Sequence, residues 1–154
     1  MTALGAGSRL NTPSHGDGLN QFKFEGEVTD QKEVKAGSLV EMDPATGTFQ
    51  PGGTGGTGMI AMGRADFSAG SETESLDPAP VVRVTTGVFS FVNHSDDFDN
   101  TMIGTVAYMV DDQTVSPTAG SLSPAGMFMG LDDAGRAKVA VSPLLAKFLL
   151  DTPT

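Results

Sequence analysis

The sequence predicts an all-β fold: a compact sandwich or small barrel built from two related hairpin units, with an extended N-terminal arm and a short C-terminal helix. Three observations carry this. Short segments alternate apolar and polar residues with a period of two. Twenty glycines and nine prolines among 154 residues punctuate them, more than a helical protein tolerates. One strand-and-turn pattern occurs twice.

Residues 1–20 are polar and rich in small residues, with Leu4, Leu10 and Leu19 as the only leucines and no apolar period. Such an arm is expected to be disordered alone and to gain order when another protein chain holds it. A β domain over 21–142 follows, beginning with the alternation of Phe22, Phe24 and Val28. Further strands are expected at Ser38 to Met42, Thr48 to Gln50, Met59 to Arg64, Val81 to Asn93, Thr105 to Val110, Thr114 to Ser116, Met127 to Met129 and Arg136 to Val141. Asp43-Pro44-Ala45-Thr46-Gly47 and Asp111-Asp112-Gln113 read as hairpin turns, because Asp side chains cap turn amides. Residues 143–154 form a short helix and tail: Ser142 caps, Pro143 suits the first helical position, and Leu144 to Leu150 is apolar nearly all round. Two turns do not persist alone in water, so this helix must dock.

The internal repeat spans about 37–63 and 104–130. Gly37-Ser38-Leu39-Val40-Glu41-Met42 matches Gly104-Thr105-Val106-Ala107-Tyr108-Met109 at an offset of 67, and Phe49-Gln50-Pro51 matches Val115-Ser116-Pro117 at 66. Gly58-Met59-Ile60-Ala61-Met62-Gly63 matches Gly126-Met127-Phe128-Met129-Gly130, starting at an offset of 68. Each copy reads as strand, hairpin, strand, glycine-rich loop, strand. Two such units are expected to bury their apolar faces against each other in one domain. Phe22, Phe24, Leu39, Met42, Val82, Val84, Val88, Met109 and Val141 are the expected core.

A net charge of -10 sets the protein's own field against nucleic acid and anionic membranes as partners. Cysteine is absent, which removes disulfides, thiolate metal sites and cysteine nucleophiles. No segment reads as a cleaved signal or a membrane span, so a soluble protein is expected, and Asn93-His94-Ser95 is a chance sequon. The loop Gly52-Gly53-Thr54-Gly55-Gly56-Thr57-Gly58 lacks the lysine and following helix of a phosphate loop and reads as a flexible surface loop. His15 and His94 are the only histidines, and neither sits in a catalytic motif. Asp96, Asp97 and Asp99 collect oxygen ligands without calcium-loop spacing, making them weak candidates for a cation site. No catalytic residue, cofactor or firm metal site is expected, and the chain is read as a non-enzyme. Without tryptophan, and with one tyrosine, it offers little platform for stacking sugars.

Lys35-Ala36-Gly37-Ser38-Leu39-Val40, Val84-Thr85-Thr86-Gly87-Val88-Phe89, Gly104-Thr105-Val106-Ala107-Tyr108 and Gly130 leading into Gly135-Arg136-Ala137-Lys138-Val139-Ala140-Val141 resemble, in order, the small capsid decoration (cement) proteins of tailed phages. The resemblance covers about residues 24–141 and rests on glycine and apolar positions. It implies an all-β protein, made in the host cytoplasm, that sits as a homotrimer on the outer surface of the virion capsid and clamps major capsid protein subunits. It implies no catalytic residue and no cofactor. The long arm and the apolar C-terminus depart from the family. On this reading Leu4, Arg9, Leu10 and Leu19 contact the capsid, while Leu145, Phe148 and Leu149 pack on the body or between copies. The alternatives are a phage tail or baseplate module and a receptor- or carbohydrate-binding β module.

Overall fold

The computed structural model describes residues 22–152 and is all-β apart from one C-terminal helix. The first half holds β1 (Lys23–Glu27), β2 (Glu33–Val34), β3 (Leu39–Asp43), β4 (Thr48–Pro51), β5 (Ile60–Ala65), β6 (Ala69–Gly70) and β7 (Val81–Thr85). The second half holds β8 (Gly87–Asn93), two 3₁₀ turns (His94–Asp96 and Asn100–Met102), β9 (Val106–Met109), β10 (Thr114–Ser116), β11 (Pro124–Leu131) and β12 (Ala137–Val141). Helix α1 (Pro143–Asp151) closes the described chain. The arm, with Leu4, Arg9, Leu10, His15 and Leu19, lies outside the described residues. Among the described residues no helix is long and apolar enough to cross a membrane.

The two halves share one topology. The first sheet runs β1-β7-β5-β3-β4, and the second runs β8-β12-β11-β9-β10 and closes into a barrel. Strand for strand, β1, β3, β4, β5 and β7 correspond to β8, β9, β10, β11 and β12. All the pairs within each order are antiparallel. The barrel closes through a parallel pairing of β10 with β8, Val115 opposite Asn93. At the equivalent place the first half has a single parallel bridge, Val28 to Phe49, with the Thr29 amide donating to the Phe49 carbonyl at 2.8 Å.

Register aligns the halves residue by residue. Phe24 faces Val84 as Phe89 faces Val139, and Met42 faces Phe49 as Met109 faces Val115. The third block of the repeat aligns differently from the sequence match. Val40 pairs with Gly63 as Ala107 pairs with Gly126, so the offset there is 63 and Gly63 corresponds to Gly126, not Gly130. Both pairings then skip a residue, Met62 in β5 and Ala125 in β11, a bulge at the same place. A Cβ at Gly63 would lie 2.5 Å from the Thr85 carbonyl oxygen, and one at Gly126 would lie 1.8 Å from that of Ala140. Thr85 and Ala140 are themselves equivalent, opposite Lys23 and Val88. Only glycine admits so close a backbone approach.

Each half wraps its own core, which corrects the expectation that two apolar faces would meet in one shared core. Val28, Val34, Val40, Phe49, Met62, Val82 and Val84 form the first. Phe98 and Phe128, stacked at 4.3 Å, centre the second with Phe89, Met109, Val115 and Val139. Leu39 and Ala61 reach from the first half into the second core, and Ala146 of α1 joins it. Five predicted core residues, Leu39, Val82, Val84, Met109 and Val141, are buried. Phe24 and Met42 are half-buried. Phe22 and Val88 are not core: they are 52% and 38% exposed. Val88 is on the outer side of the barrel wall because the buried alternates of β8 are Phe89 and Phe91.

The single strand expected over 81–93 is two. The chain breaks at Thr86, where it leaves the first sheet for the barrel; Thr86 Oγ1 accepts from the Phe22 amide at 2.7 Å and the Thr86 amide donates to the Phe22 carbonyl at 2.9 Å. β11 is eight residues rather than three, and the short pair β2 and β6 was not expected. Both expected hairpin turns join paired strands. Ser142 caps α1, its Oγ accepting from the Leu145 amide at 3.2 Å.

The shared bulge predicts a graded response. Gly126→Ala should destabilise the protein by about 3 kcal/mol, since its Cβ meets backbone that cannot give way. Gly63→Ala should also destabilise, from the contact at 2.5 Å and a φ of +149°. Urea unfolding of both variants checks this, and a wild-type midpoint for Gly126→Ala would contradict the register.

Candidate functional site

Glu41 is the most unusual residue of the body, a carboxylate with no exposed surface. Its place in β3 puts it opposite Gln50 of β4, and the turn after β4 brings the glycine-rich loop over it. One oxygen accepts from the Gly53 amide at 2.7 Å. The other accepts from the Gly55 amide at 2.9 Å and from Gln50 Nε2 at 2.7 Å. The loop is thus a cradle of backbone amides, and the anion it holds is the protein's own. Burial pushes the Glu41 carboxyl above the usual carboxylate range, against the opposing pull of Gln50, Gly55 and Gly53.

The loop expected to be a flexible surface segment is therefore pinned, and it also joins the halves. The Met59 amide donates to Ser123 Oγ at 2.9 Å, and the Leu39 amide donates to the Asp112 carbonyl at 2.8 Å. A Cβ at Gly53 would lie 2.6 Å from the Val110 carbonyl oxygen. Arg64 of β5 lies over the Phe89 ring of the barrel at 4.9 Å. With its lone pairs engaged and no path to solvent, Glu41 serves the fold.

The acidic loop does not assemble a ligand set. Asp99 accepts from the amide and hydroxyl of its neighbour Thr101, which hold its carboxyl below the usual range. Asp97 lies 3.4 Å from His94 Nδ1. Asp96 belongs to the first 3₁₀ turn, with φ of +54°. Among the described residues no group of three or more His, Cys, Asp or Glu side chains could hold a metal ion, so Asp96, Asp97 and Asp99 are not brought together as a site.

What the body offers a partner is surface, and the two halves differ in it. Across the outer wall of the barrel, Val88, Ala140, Met127 and Val106 lie side by side on four adjacent strands. In the equivalent row of the first half, Lys23, Thr85, Arg64 and Leu39, only Lys23 and Arg64 are exposed, while Thr85 and Leu39 are buried. Beside that row Asp66 accepts from Arg83 Nε at 2.8 Å and Thr85 Oγ1 at 2.6 Å, with Lys23 Nζ at 3.4 Å. Burial would raise the Asp66 carboxyl, yet the bonds from Thr85 and Arg83 and the Lys23 charge outweigh it and hold the carboxyl low. The barrel's wall also exposes Val92 (45%), Ile103 (54%) and Met129 (41%).

A second apolar surface surrounds the start of α1. Leu144 and Phe148, one turn apart, are exposed, while Leu145 and Leu149 are half-buried. Of the three residues expected to pack on the body or between copies, Leu145 and Leu149 thus lose part of their surface to the body, and Phe148 points to solvent. Beside them Phe22, Phe24, Thr86, Pro143 and Leu144 line a groove of about 390 Å³. Sequence reasoning missed Glu41, although a charged residue inside Leu39-Val40-Glu41-Met42, ahead of a glycine loop, was a readable sign of a buried anchor.

Compared with known proteins, the chain matches no family model, no curated protein and no solved structure.

Removing the anchor should be costly. Glu41→Ala leaves the Gly53 and Gly55 amides and the Gln50 amide group without their acceptor, and should destabilise by about 3 kcal/mol or more. The pH dependence has a definite sign. Because the Glu41 carboxyl titrates higher in the folded chain than its ordinary value of 4.5, its contribution is full below that value and fades as pH rises through the folded one. The stability margin of wild type over Glu41→Gln should therefore narrow as pH rises above the ordinary value of 4.5, measured by denaturant unfolding across a pH series. A margin that widens would contradict the burial of this group.

Proposed function

We propose that this protein is a capsid decoration protein, bound as a trimer on the outside of an assembled phage head and clamping neighbouring major capsid protein subunits. The observation that carries the reading is the set of exposed apolar side chains on the barrel, Val88, Val92 and Met129. Exposed apolar surface suits contact with protein, and a net charge of -10 keeps the remaining surface solvated. The sequence motifs shared with decoration proteins add the phage shell as the partner. The arm, through Leu4, Arg9, Leu10 and Leu19, supplies further contact, and repetition over a shell multiplies weak contacts into firm attachment.

Co-sedimentation of the purified protein with undecorated heads of its phage tests the reading, and saturable binding at a fixed number of copies per head is expected. The double variant Val88→Lys, Val92→Lys should lose at least about tenfold in affinity, the equivalent of about 1.4 kcal/mol, with an unchanged Tm because both side chains are already exposed. Absence of binding to heads would favour the tail-module alternative instead.

A further inference from the structure

We propose that in the free protein the chain's own N-terminal segment, residues 1–21, seats on the apolar groove of Phe22, Phe24, Thr86, Pro143 and Leu144, with Leu10 and Leu19 as its anchors. The groove holds about 390 Å³, and among the described residues that line it Lys23 is the one charged side chain. Its rim leaves Phe22 at 52% and Leu144 at 78% exposed, with Phe148 at 66% one turn further along α1. A solvated apolar surface of this kind gains from being covered.

Where the segment begins argues for this occupant. Phe22 is fastened through both its amide and its carbonyl to Thr86, so residues 1–21 join the described body at the groove's own rim. Leu19 lies three positions before Phe22, about 10 Å at full extension, and Leu10 twelve positions before it, about 40 Å. Either leucine is therefore within reach of the groove.

Charge argues the same way. In a chain of net charge -10, this segment carries one acid, Asp17, and one arginine, Arg9. Docking it brings little charge to an apolar surface, and Asp17 is opposite in sign to Lys23. Tethering holds the segment at an effective concentration in the millimolar range. A second copy would have to bring its own excess of negative charge against the first. The inference concerns the protein free in solution and stands whether or not the body decorates a shell. On a shell the same leucines would leave the groove for a neighbouring subunit.

Because the chain has no cysteine, the single change Asn11→Cys places one nitroxide label in the segment of the full-length protein. In a ¹⁵N-enriched sample, amide signals of Phe24, Thr86, Leu144 and Phe148 should lose more than half their intensity through paramagnetic relaxation. They should recover when Leu10→Asp and Leu19→Asp are added, and also with Leu144→Asp, a change at a side chain already in solvent. Unaffected signals overturn the proposal. So does broadening that appears only when labelled, unenriched chains are mixed with enriched, unlabelled ones, which would make the occupant a second copy's segment.

Discussion

In both halves of this protein, the five-stranded sheet of the first and the closed barrel of the second, the central strand carries a glycine set against a neighbouring carbonyl. Gly63 approaches the Thr85 carbonyl and Gly126 that of Ala140. One residue before each glycine a bulge adds an unpaired position, which increases local twist and lets the strand change direction. The bulge also breaks alternation, so Ala61-Met62-Gly63 and Pro124-Ala125-Gly126 are each three buried residues in a row. Once the bend is set, the strand order and the two cores follow from it. β5 and β11 can then pair with β3 and β9 on one side and with β7 and β12 on the other.

The duplicated plan has been put to different uses at equivalent positions. Glu41 and Tyr108 occupy the same place in β3 and β9, opposite Gln50 and Ser116. Only Glu41 carries a charge, and only its half has the loop of Gly53 and Gly55 whose amides satisfy that charge. Burying a carboxylate is costly, and three donors offset the cost only while the loop keeps its shape. The loop and carboxylate therefore specify each other, and the pinned loop lies against the second half at Val110 and Ser123. The two cores are joined in this way beside the apolar contact that Leu39 and Ala61 make with the second core.

Much of this was legible in the sequence, for identifiable reasons. Strands β3, β4, β9 and β10 are short runs between clear turns, and their repeat is true in both order and pairing. The third block of the repeat misaligned because glycine and methionine recur on either side of the bulge, and similar letters at an offset of 68 masked the pairing at 63. The break at Thr86 was hidden inside a continuous run of β-formers, since a crossing between halves needs no turn signal when Phe22 supplies the hydrogen bonds. Placing Val88 in the core failed through phase: Phe89 and Phe91 claim the inner face of β8, and the outer face is then fixed. Glu41 was passed over because a single charged letter does not announce its donors, which come from Gln50 on the paired strand and from the loop amides of Gly53 and Gly55.

That phase carries the functional argument. Inward positions of the two halves hold equivalent apolar residues, Phe24 with Phe89, Val84 with Val139 and Val40 with Ala107, as a shared fold requires. The alternate positions are released from that requirement where they reach solvent, as at Lys23 and Val88, but not at Leu39 and Thr85, which are buried. Lys23 and Arg83 both pair with Asp66, and with the two cations about half exposed these ion pairs add little stability, while Arg64 lies over the Phe89 ring of the barrel. Val88 and Val92 face outward on β8 with more than a third of their surface in solvent, where a polar residue would serve a free wall at less cost. The proposed role draws on these exposed apolar side chains of the barrel rather than on any cluster of reactive groups.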